Sequence, residues 1–164
     1  MMPRIPPPRE IAMTPDELCR RLIQETGDAV ILCDAQGVIR YWNNGAQRVF
    51  GFAETEAIGQ TLDIIIPENL RARHWHGFAE TVRTARSKYN AADTLAVPAL
   101  RADDQRISVE FTITVMCGND GGVEGMGAII RDVTERFEEI KRLRQAHQAP
   151  GTAVGASATR GGGA

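Results

Sequence analysis

The sequence predicts an α+β domain in which five strands form one antiparallel sheet, with helices packed on one face and a flanking helix at each end. The first observation is the order of the predicted elements: two strands come first, then short helices and one longer helix, and then three strands. The second is the segment 106–116, whose apolar and polar side chains alternate as in a strand with one packed and one solvated face. Because the helices are gathered between the second and third strands, this order favours a single sheet covered on one face.

Composition limits the function classes. The chain has 164 residues, of which 43% are hydrophobic and 24% charged, as expected for one globular domain. Its net charge of −2 provides no basic surface for nucleic acid or an anionic membrane. The longest apolar run, 29–33, is far shorter than the roughly 20 residues of a membrane-spanning helix. Three cysteines without a CxxC pair fit neither a disulfide framework nor a structural zinc site, and the N-terminus lacks the apolar core of a signal peptide, so we expect a cytoplasmic protein.

The two ends of the chain differ in composition from the middle. Residues 1–13 are rich in proline, which predicts a disordered, extended arm. Residues 149–164 are mainly glycine, alanine, threonine and serine, and contain no apolar side chain larger than Val154. Such a segment cannot bury enough surface to offset the entropy of ordering, so it is predicted to be a disordered tail.

The first predicted helix covers residues 14–27. Thr14-Pro15-Asp16-Glu17 has the residues of a capping box with proline at the first helical position, and Gly27 ends the helix. A buried strand, 29–33, follows. The turn Asp34-Ala35-Gln36-Gly37 then leads into a second strand over 38–42, which predicts a hairpin.

Asn43 and Asn44 are both good N-cap residues, and they begin a short helix that ends at Gly51. The remaining elements follow from glycine and proline punctuation, alternation and capping residues. They are a helical turn at 54–58, a segment 62–66 ended by Pro67, a long helix at 68–86, strands at 94–100, 106–116 and 123–131, and a charged helix at 133–148 that begins with Asp132-Val133-Thr134-Glu135.

Within 28–147 the sequence resembles the PAS family of sensory domains. The resemblance rests on eight short motifs in the family's order. They are Asp28-Ala29-Val30, Asp34-Ala35-Gln36-Gly37, Tyr41-Trp42-Asn43-Asn44-Gly45-Ala46, Val49-Phe50-Gly51-Phe52, Ile58-Gly59, Ile66-Pro67-Glu68, Ser108-Val109-Glu110-Phe111 and Ile130-Arg131-Asp132-Val133-Thr134-Glu135-Arg136. The resemblance implies a PAS core at 28–132, curled around a cavity, and a signalling helix at 133–148. It also implies a sensor of a ligand, cofactor or partner that acts on a flanking helix.

The run from Pro67 to Phe78 is similar to a helix of haem-binding PAS oxygen sensors, whose proximal haem ligand matches His74. Helical spacing supports this independently, because His74 falls on an apolar arc whereas His76 falls among charged residues. A neutral imidazole on an apolar face can ligate haem iron. We therefore expect haem b as a possible cofactor, with His74 as the ligand of its iron. The predicted cofactor-binding residues are His74, Leu70, Phe78, Val82, Leu95, Val97, Ile113 and Ile129.

Other interpretations of the same residues stay open. His74 is alternatively a hydrogen-bonded core histidine, and the whole chain a ligand-free protein-interaction or dimerisation module. The haem sensors carry an Arg or Met facing the iron, but the corresponding window holds Ala92, Asp93 and Thr94, so no distal ligand is identified. The light-sensing relatives within the PAS family need a cysteine in the helices between the second and third strands. Cysteine-based flavin photochemistry is therefore excluded, because no cysteine lies between Cys33 and Cys117. No acid, base or nucleophile is assembled, so we do not expect an enzyme.

The flanking helices predict a homodimer built on residues 14–26 and 133–144. Apolar positions recur along the C-terminal helix at three- and four-residue steps, and charged residues fill its other faces. This stripe consists of Val133, Phe137, Ile140 and Leu143 or Arg144. A stripe of barely two heptads needs another surface to pack against. The output is expected through an unidentified effector protein contacted in trans, in transcription or two-component signalling, with neither nucleic acid nor membrane as a partner.

Trp42 and Trp75 are interpreted as cavity wall or sheet cover.

Overall fold

A computed structural model describes residues 12–87 and 96–148. Nearly all of the predicted arm, 1–13, and all of the predicted tail, 149–164, lie outside these residues. The helices are α1 (Pro15–Glu25), α2 (Asn44–Phe50), α3 (Glu54–Ala57), α4 (Glu68–Thr84) and α5 (Thr134–Gln148), with a 3₁₀ helix at Leu62–Ile65. The strands are β1 (Ala29–Asp34), β2 (Ile39–Trp42), β3 (Val97–Leu100), β4 (Arg106–Cys117) and β5 (Val123–Asp132). No helix in the described ranges is long and apolar enough to cross a membrane.

The sheet confirms the predicted fold class. In the described chain its strands follow the order β2-β1-β5-β4-β3, and every neighbouring pair is antiparallel. β1 and β5 therefore lie side by side in the middle, although almost the whole domain separates them in sequence. The chain forms two compact units divided after Thr134; the first contains the sheet with α1 to α4, and the second contains α5.

The core fills the face of the sheet that carries the helices. Trp42 and Phe50 are fully buried, and their ring centroids lie 5.6 Å apart. The indole N–H of Trp42 donates to the carbonyl oxygen of Phe52 at 3.1 Å, which satisfies its one polar atom. Ile31 and Ile130 complete this layer from the two central strands. Trp42 therefore belongs to the core rather than to the wall of an open cavity.

Asn43 is the buried polar residue that joins the elements around β1. Its side-chain oxygen accepts from the backbone N–H groups of Val30 and Ala46, both at 2.8 Å. Its amide nitrogen donates to the carbonyl oxygens of Ile23 at 2.8 Å and Asp28 at 3.1 Å. One side chain thus caps α2 and fixes β1 and the end of α1 relative to α2.

The approach of α2 to the α1–β1 connection requires glycine at position 45. A Cβ on Gly45 would overlap the carbonyl oxygen of Asp28 and crowd that of Thr26. Only a residue without a side chain permits this contact. The capping box predicted for α1 is also present, since Thr14 and Glu17 bond to each other's backbone.

The junction after β5 is held by a second set of bonds. Arg131 donates two hydrogen bonds to the Asp28 carboxylate, at 3.0 and 2.6 Å, and so links the end of β5 to the start of β1. The backbone N–H of Val133 donates to the carbonyl oxygen of Ser108 at 2.9 Å. The backbone N–H of Ser108 in turn donates to the Thr134 hydroxyl at 2.9 Å. The chain therefore leaves the sheet along a fixed path.

The predicted apolar stripe was wrong at its first residue, Val133. It precedes α5 and is 7% exposed, so it belongs to the core of the first unit. Phe137, Ile140 and Leu143 lie on α5 itself and are 47%, 39% and 62% exposed. The stripe of α5 therefore begins at Phe137.

We predict that Asn43→Ala destabilises the domain by about 3 kcal/mol, because it leaves two buried backbone donors and two carbonyl acceptors without their partner. Urea unfolding followed by circular dichroism measures this change. Asn44→Ala is the matched control, since within the described ranges its side chain accepts two long hydrogen bonds of 3.3 Å, from Gln24 and Gln47. Equal losses of stability in the two variants would contradict the role assigned to Asn43.

We predict that the stability lost in Asp28→Asn is larger at pH 7 than at pH 3. Hydrogen bonds from Arg131 hold the pKa of Asp28 below its ordinary value of 3.8. A lowered folded-state pKa gives stability that is present above pH 3.8 and is lost as the pH falls. The effect is small because Arg131 is largely exposed. Unfolding of both proteins at the two pH values tests this, with the exposed Asp104→Asn as control; a pH-independent difference would contradict it.

Candidate functional site

Helix α4 carries the candidate site. None of its residues is buried, which sets it apart from α2 and β1. The four residues of α4 that were predicted to bind the cofactor are half-buried, whereas His76 is exposed; the four are Leu70, His74, Phe78 and Val82. His74 therefore faces the protein and His76 faces solvent. The two histidines cannot bind one ion together, as their spacing predicts.

The His74 imidazole has a buried nitrogen that lacks a partner. Among the residues the structure describes, none forms a hydrogen bond with its Nδ1 atom. Burial lowers the pKa of His74, and the negative charge of Asp63 opposes this only in part. The ring is consequently neutral at physiological pH, with a lone pair free for a Lewis acid or a hydrogen-bond donor.

Three aromatic rings meet on this side of α4. The His74 ring lies edge-on to Trp75, with centroids 5.1 Å apart and an interplanar angle of 77°. Phe78 contacts both, at 6.0 Å from His74 and 5.2 Å from Trp75. The imidazole is thus surrounded by apolar ring surface on its own helix, which favours the neutral form.

Trp75 connects this cluster to two other elements. Its indole N–H donates to the Asp63 carboxylate of the 3₁₀ helix at 2.8 Å. Its six-membered ring packs on Gly37 in the β1–β2 turn, where φ is +78°. Trp75 does more than cover the sheet, because its contacts with Asp63 and Gly37 hold the side chain in one position.

The strand residues predicted for the site divide into three groups. Val97 on β3 and Ile113 on β4 are half-buried, and Ile113 pairs with Ala128, which packs on the core. Leu95 lies outside the described residues. Ile129 is a correction: it lies on the opposite face of the sheet and is 53% exposed. Side chains of neighbouring strand positions point to opposite faces, so Ala128 and Ile130 face the core instead.

Sequence reasoning missed Phe111 and Asp63. Phe111 is half-buried against the core on the same face as Ile113, and the alternation of β4 already places these two residues on one side. Asp63 gave no such signal, because it lies 12 positions before Trp75 and on a different helix. No local periodicity encodes a contact of this kind.

Cys33 lies in β1, and its thiol is buried. Burial raises the pKa of this thiol to about 11, so it is neither a nucleophile nor a ready metal ligand. Cys19 and Cys117 are exposed, and both lie outside the region between β2 and β3. Within 12–87 and 96–148, no three His, Cys, Asp or Glu side chains are grouped to hold a metal ion.

The order of the strands and the helices on one face of the sheet define a small α+β domain. A family model described as the PAS fold matches residues 23–138. The chain belongs to the PAS family.

Its similarity to individual proteins agrees with this family. The chain is 30% identical over 126 residues to the sensor protein FixL of Bradyrhizobium diazoefficiens, across 77% of this chain and 24% of that protein. The chain thus spans about a quarter of the length of this relative. The structure is similar to the PAS domain of a Colwellia psychrerythraea protein, with a TM-score of 0.64, 22% identity and coverage of 73% of this chain and 98% of that one.

A second similar structure is an RNA-binding light-oxygen-voltage receptor, with a TM-score of 0.63 and 20% identity over 89% of this chain and 42% of that one. At these identities the two structures support the fold and nothing finer. The predicted fold class and family are confirmed.

Proposed function

We propose that this PAS sensory domain binds haem b through His74 and acts as a gas or redox sensor. The observation that carries the proposal is the His74 imidazole, which is neutral and has a buried Nδ1 atom without a partner. A buried polar atom left unpaired is costly, and a ligand that satisfies the ring removes this cost. The resemblance of the 67–78 run to haem-binding oxygen sensors supports the same residue.

Half-buried apolar side chains flank His74 on α4, as a flat apolar group requires; they are Leu70, Phe78 and Val82. Strand β4 presents the half-buried side chains of Phe111 and Ile113 on the core side of the sheet. We propose that these two surfaces form the walls of the site. Haem b, when bound, supplies an iron that takes a diatomic gas or changes its oxidation state. The chain's own residues hold the group through His74 and exclude water from it.

The output of the domain is proposed to pass from β4 to α5. Strand β4 carries Phe111 and Ile113 on its inner face and pairs with β5 along most of its length. The end of β5 is fixed through Val133 and Thr134 to Ser108 of β4. A ligand that shifts β4 would therefore change the start of α5. Regulation of an effector protein contacted in trans is part of this proposal.

A ligand-free interaction module is the second candidate, and the exposed apolar side chains of the flanking helices favour it. Leu22 and Ile23 on α1 are 62% and 43% exposed, and α5 presents Phe137, Ile140 and Leu143. We propose that both helices take part in a homodimer with a second copy of this chain. This homodimer is compatible with either function.

We predict that the purified chain binds haemin with a sharp Soret band and that His74→Ala abolishes this binding, because the variant removes the ligand of the iron. His76→Ala is the control on the same helix, and it should bind haemin nearly as the wild type does, since His76 is exposed. Titration with haemin followed by absorbance measures both. Equal loss in the two variants, or no loss in either, would rule out His74 as the ligand.

The titration, together with the colour and mass spectrum of the expressed protein, separates the two candidate functions. Wild-type protein that remains colourless after expression with a haem precursor, and whose mass spectrum shows no bound small molecule, supports the interaction module. Haemin binding that depends on His74 supports the sensor.

We predict that Phe137→Glu converts the dimer to a monomer, because it places a charge within the exposed apolar stripe of α5. Sedimentation at tens of micromolar measures the mass, and circular dichroism checks that the core stays folded. Arg142→Glu adds negative charge to the same helix outside the stripe and should leave the mass unchanged. A wild type that is already monomeric at this concentration would end the dimer proposal.

A further inference from the structure

Trp75 is held from two sides by elements outside α4. On one side, a Cβ placed on Gly37 would overlap the Cζ3 and Cη2 atoms of the indole, so the ring lies directly on the backbone of the β1–β2 turn. Gly37 is itself buried and has a φ of +78°, which side chains rarely adopt. The turn therefore provides a firm surface for the ring.

On the other side, the polar edge of the indole is fixed by Asp63. The N–H group donates to the carboxylate at 2.8 Å. Arg71 holds the segment that carries Asp63, because its guanidinium donates to the carbonyl oxygens of Asp63 and Ile66, both at 3.2 Å, and lies 3.8 Å from the carboxylate. The indole is thus bound at its hydrogen-bonding edge and packed at its opposite edge.

The His74 ring differs from the indole, because no hydrogen bond fixes its buried nitrogen and aromatic contacts hold the ring instead. Its Nδ1 atom has no hydrogen-bond partner in the described part of the chain. Its described aromatic contacts are with Trp75, edge-on at 5.1 Å, and with Phe78 at 6.0 Å. His74 and Trp75 are consecutive on one helix, so fixing the indole also fixes the rotation of that helical turn about its axis.

We propose that Trp75 is the positioning residue for His74. The indole, held between Gly37 and Asp63, sets the direction in which the imidazole is presented from α4. No residue of α4 is fully buried, and its other inward side chains are half-buried, so the two contacts of the indole add to packing that is itself incomplete. The consequence for haem ligation rests on the proposed function, whereas the consequence for the orientation of the imidazole does not.

The orientation is tested first without haem, by NMR of the histidine ring protons in the full chain. The wild-type signal of His74 should be displaced by the neighbouring indole, and His74→Ala assigns it. In Trp75→Leu this signal should move toward that of the exposed His76, while Trp75→Phe, which keeps an aromatic ring, should retain part of the displacement. Spectral dispersion of the remaining amides checks that each variant is folded.

The hydrogen bond to Asp63 gives a milder pair of variants, should Trp75→Leu fail to fold. Asp63→Asn keeps an acceptor oxygen for the indole and should leave the His74 signal in place. Asp63→Leu is of similar size but has no acceptor, and should shift the signal in the direction seen for Trp75→Leu. An unchanged His74 signal in both folded Trp75→Leu and folded Asp63→Leu would overturn the proposal.

The haem consequence is measured separately, by titration with haemin. Loss of a residue that orients a metal ligand commonly weakens metal affinity about 10- to 100-fold, and we expect a loss of this size in Trp75→Leu with a displaced Soret band. Asp63→Asn should stay near wild type. If the wild type does not bind haemin, the proposed function fails while the NMR result still decides the positioning role. If haemin binds through His74 with equal affinity and an identical spectrum in wild type and Trp75→Leu, the positioning role fails and the proposed function stands.

Discussion

The fold depends on the four hydrogen bonds of the Asn43 side chain. This fully buried amide bonds to backbone groups of α1, the α1–β1 connection, β1 and α2. A buried amide is stable only when its donors and acceptors are all used, so each of these segments must sit where Asn43 can reach it. The packing of Phe50 against Trp42 follows, because α2 begins at the point that Asn43 fixes.

Side chains are buried more deeply around Asn43 than along α4. The first region contains the fully buried side chains of β1, β2 and α2, whereas α4 contains no buried residue. Trp75 holds this less buried helix through its contacts with Gly37 and Asp63.

Local signals in the sequence predicted much of the fold. The capping box at Thr14, the glycine turn at position 37 and the alternation along β4 each encode a structure over a few residues, and each is present. Ile129 was wrong because the face that a strand residue occupies depends on register, and a run of small and apolar residues does not define it. The contact between Trp75 and Asp63 was out of reach for another reason: it joins elements whose relative position only the tertiary structure sets. Within the candidate site, the helical arc was predictable and the residue that orients it was not.

The ion pair of Asp28 and Arg131 has a mechanical consequence. The start of β1 and the end of β5 lie side by side, because Ala29 pairs with Ile130 in an antiparallel ladder. Tension applied between the two flanks of the core therefore peels these strands apart one rung at a time, with the ion pair as the first link to open. Such a peeling geometry yields at lower force than sliding of the same strands would. β1 and β5 are thus the strands that tension between the two ends of the core separates first.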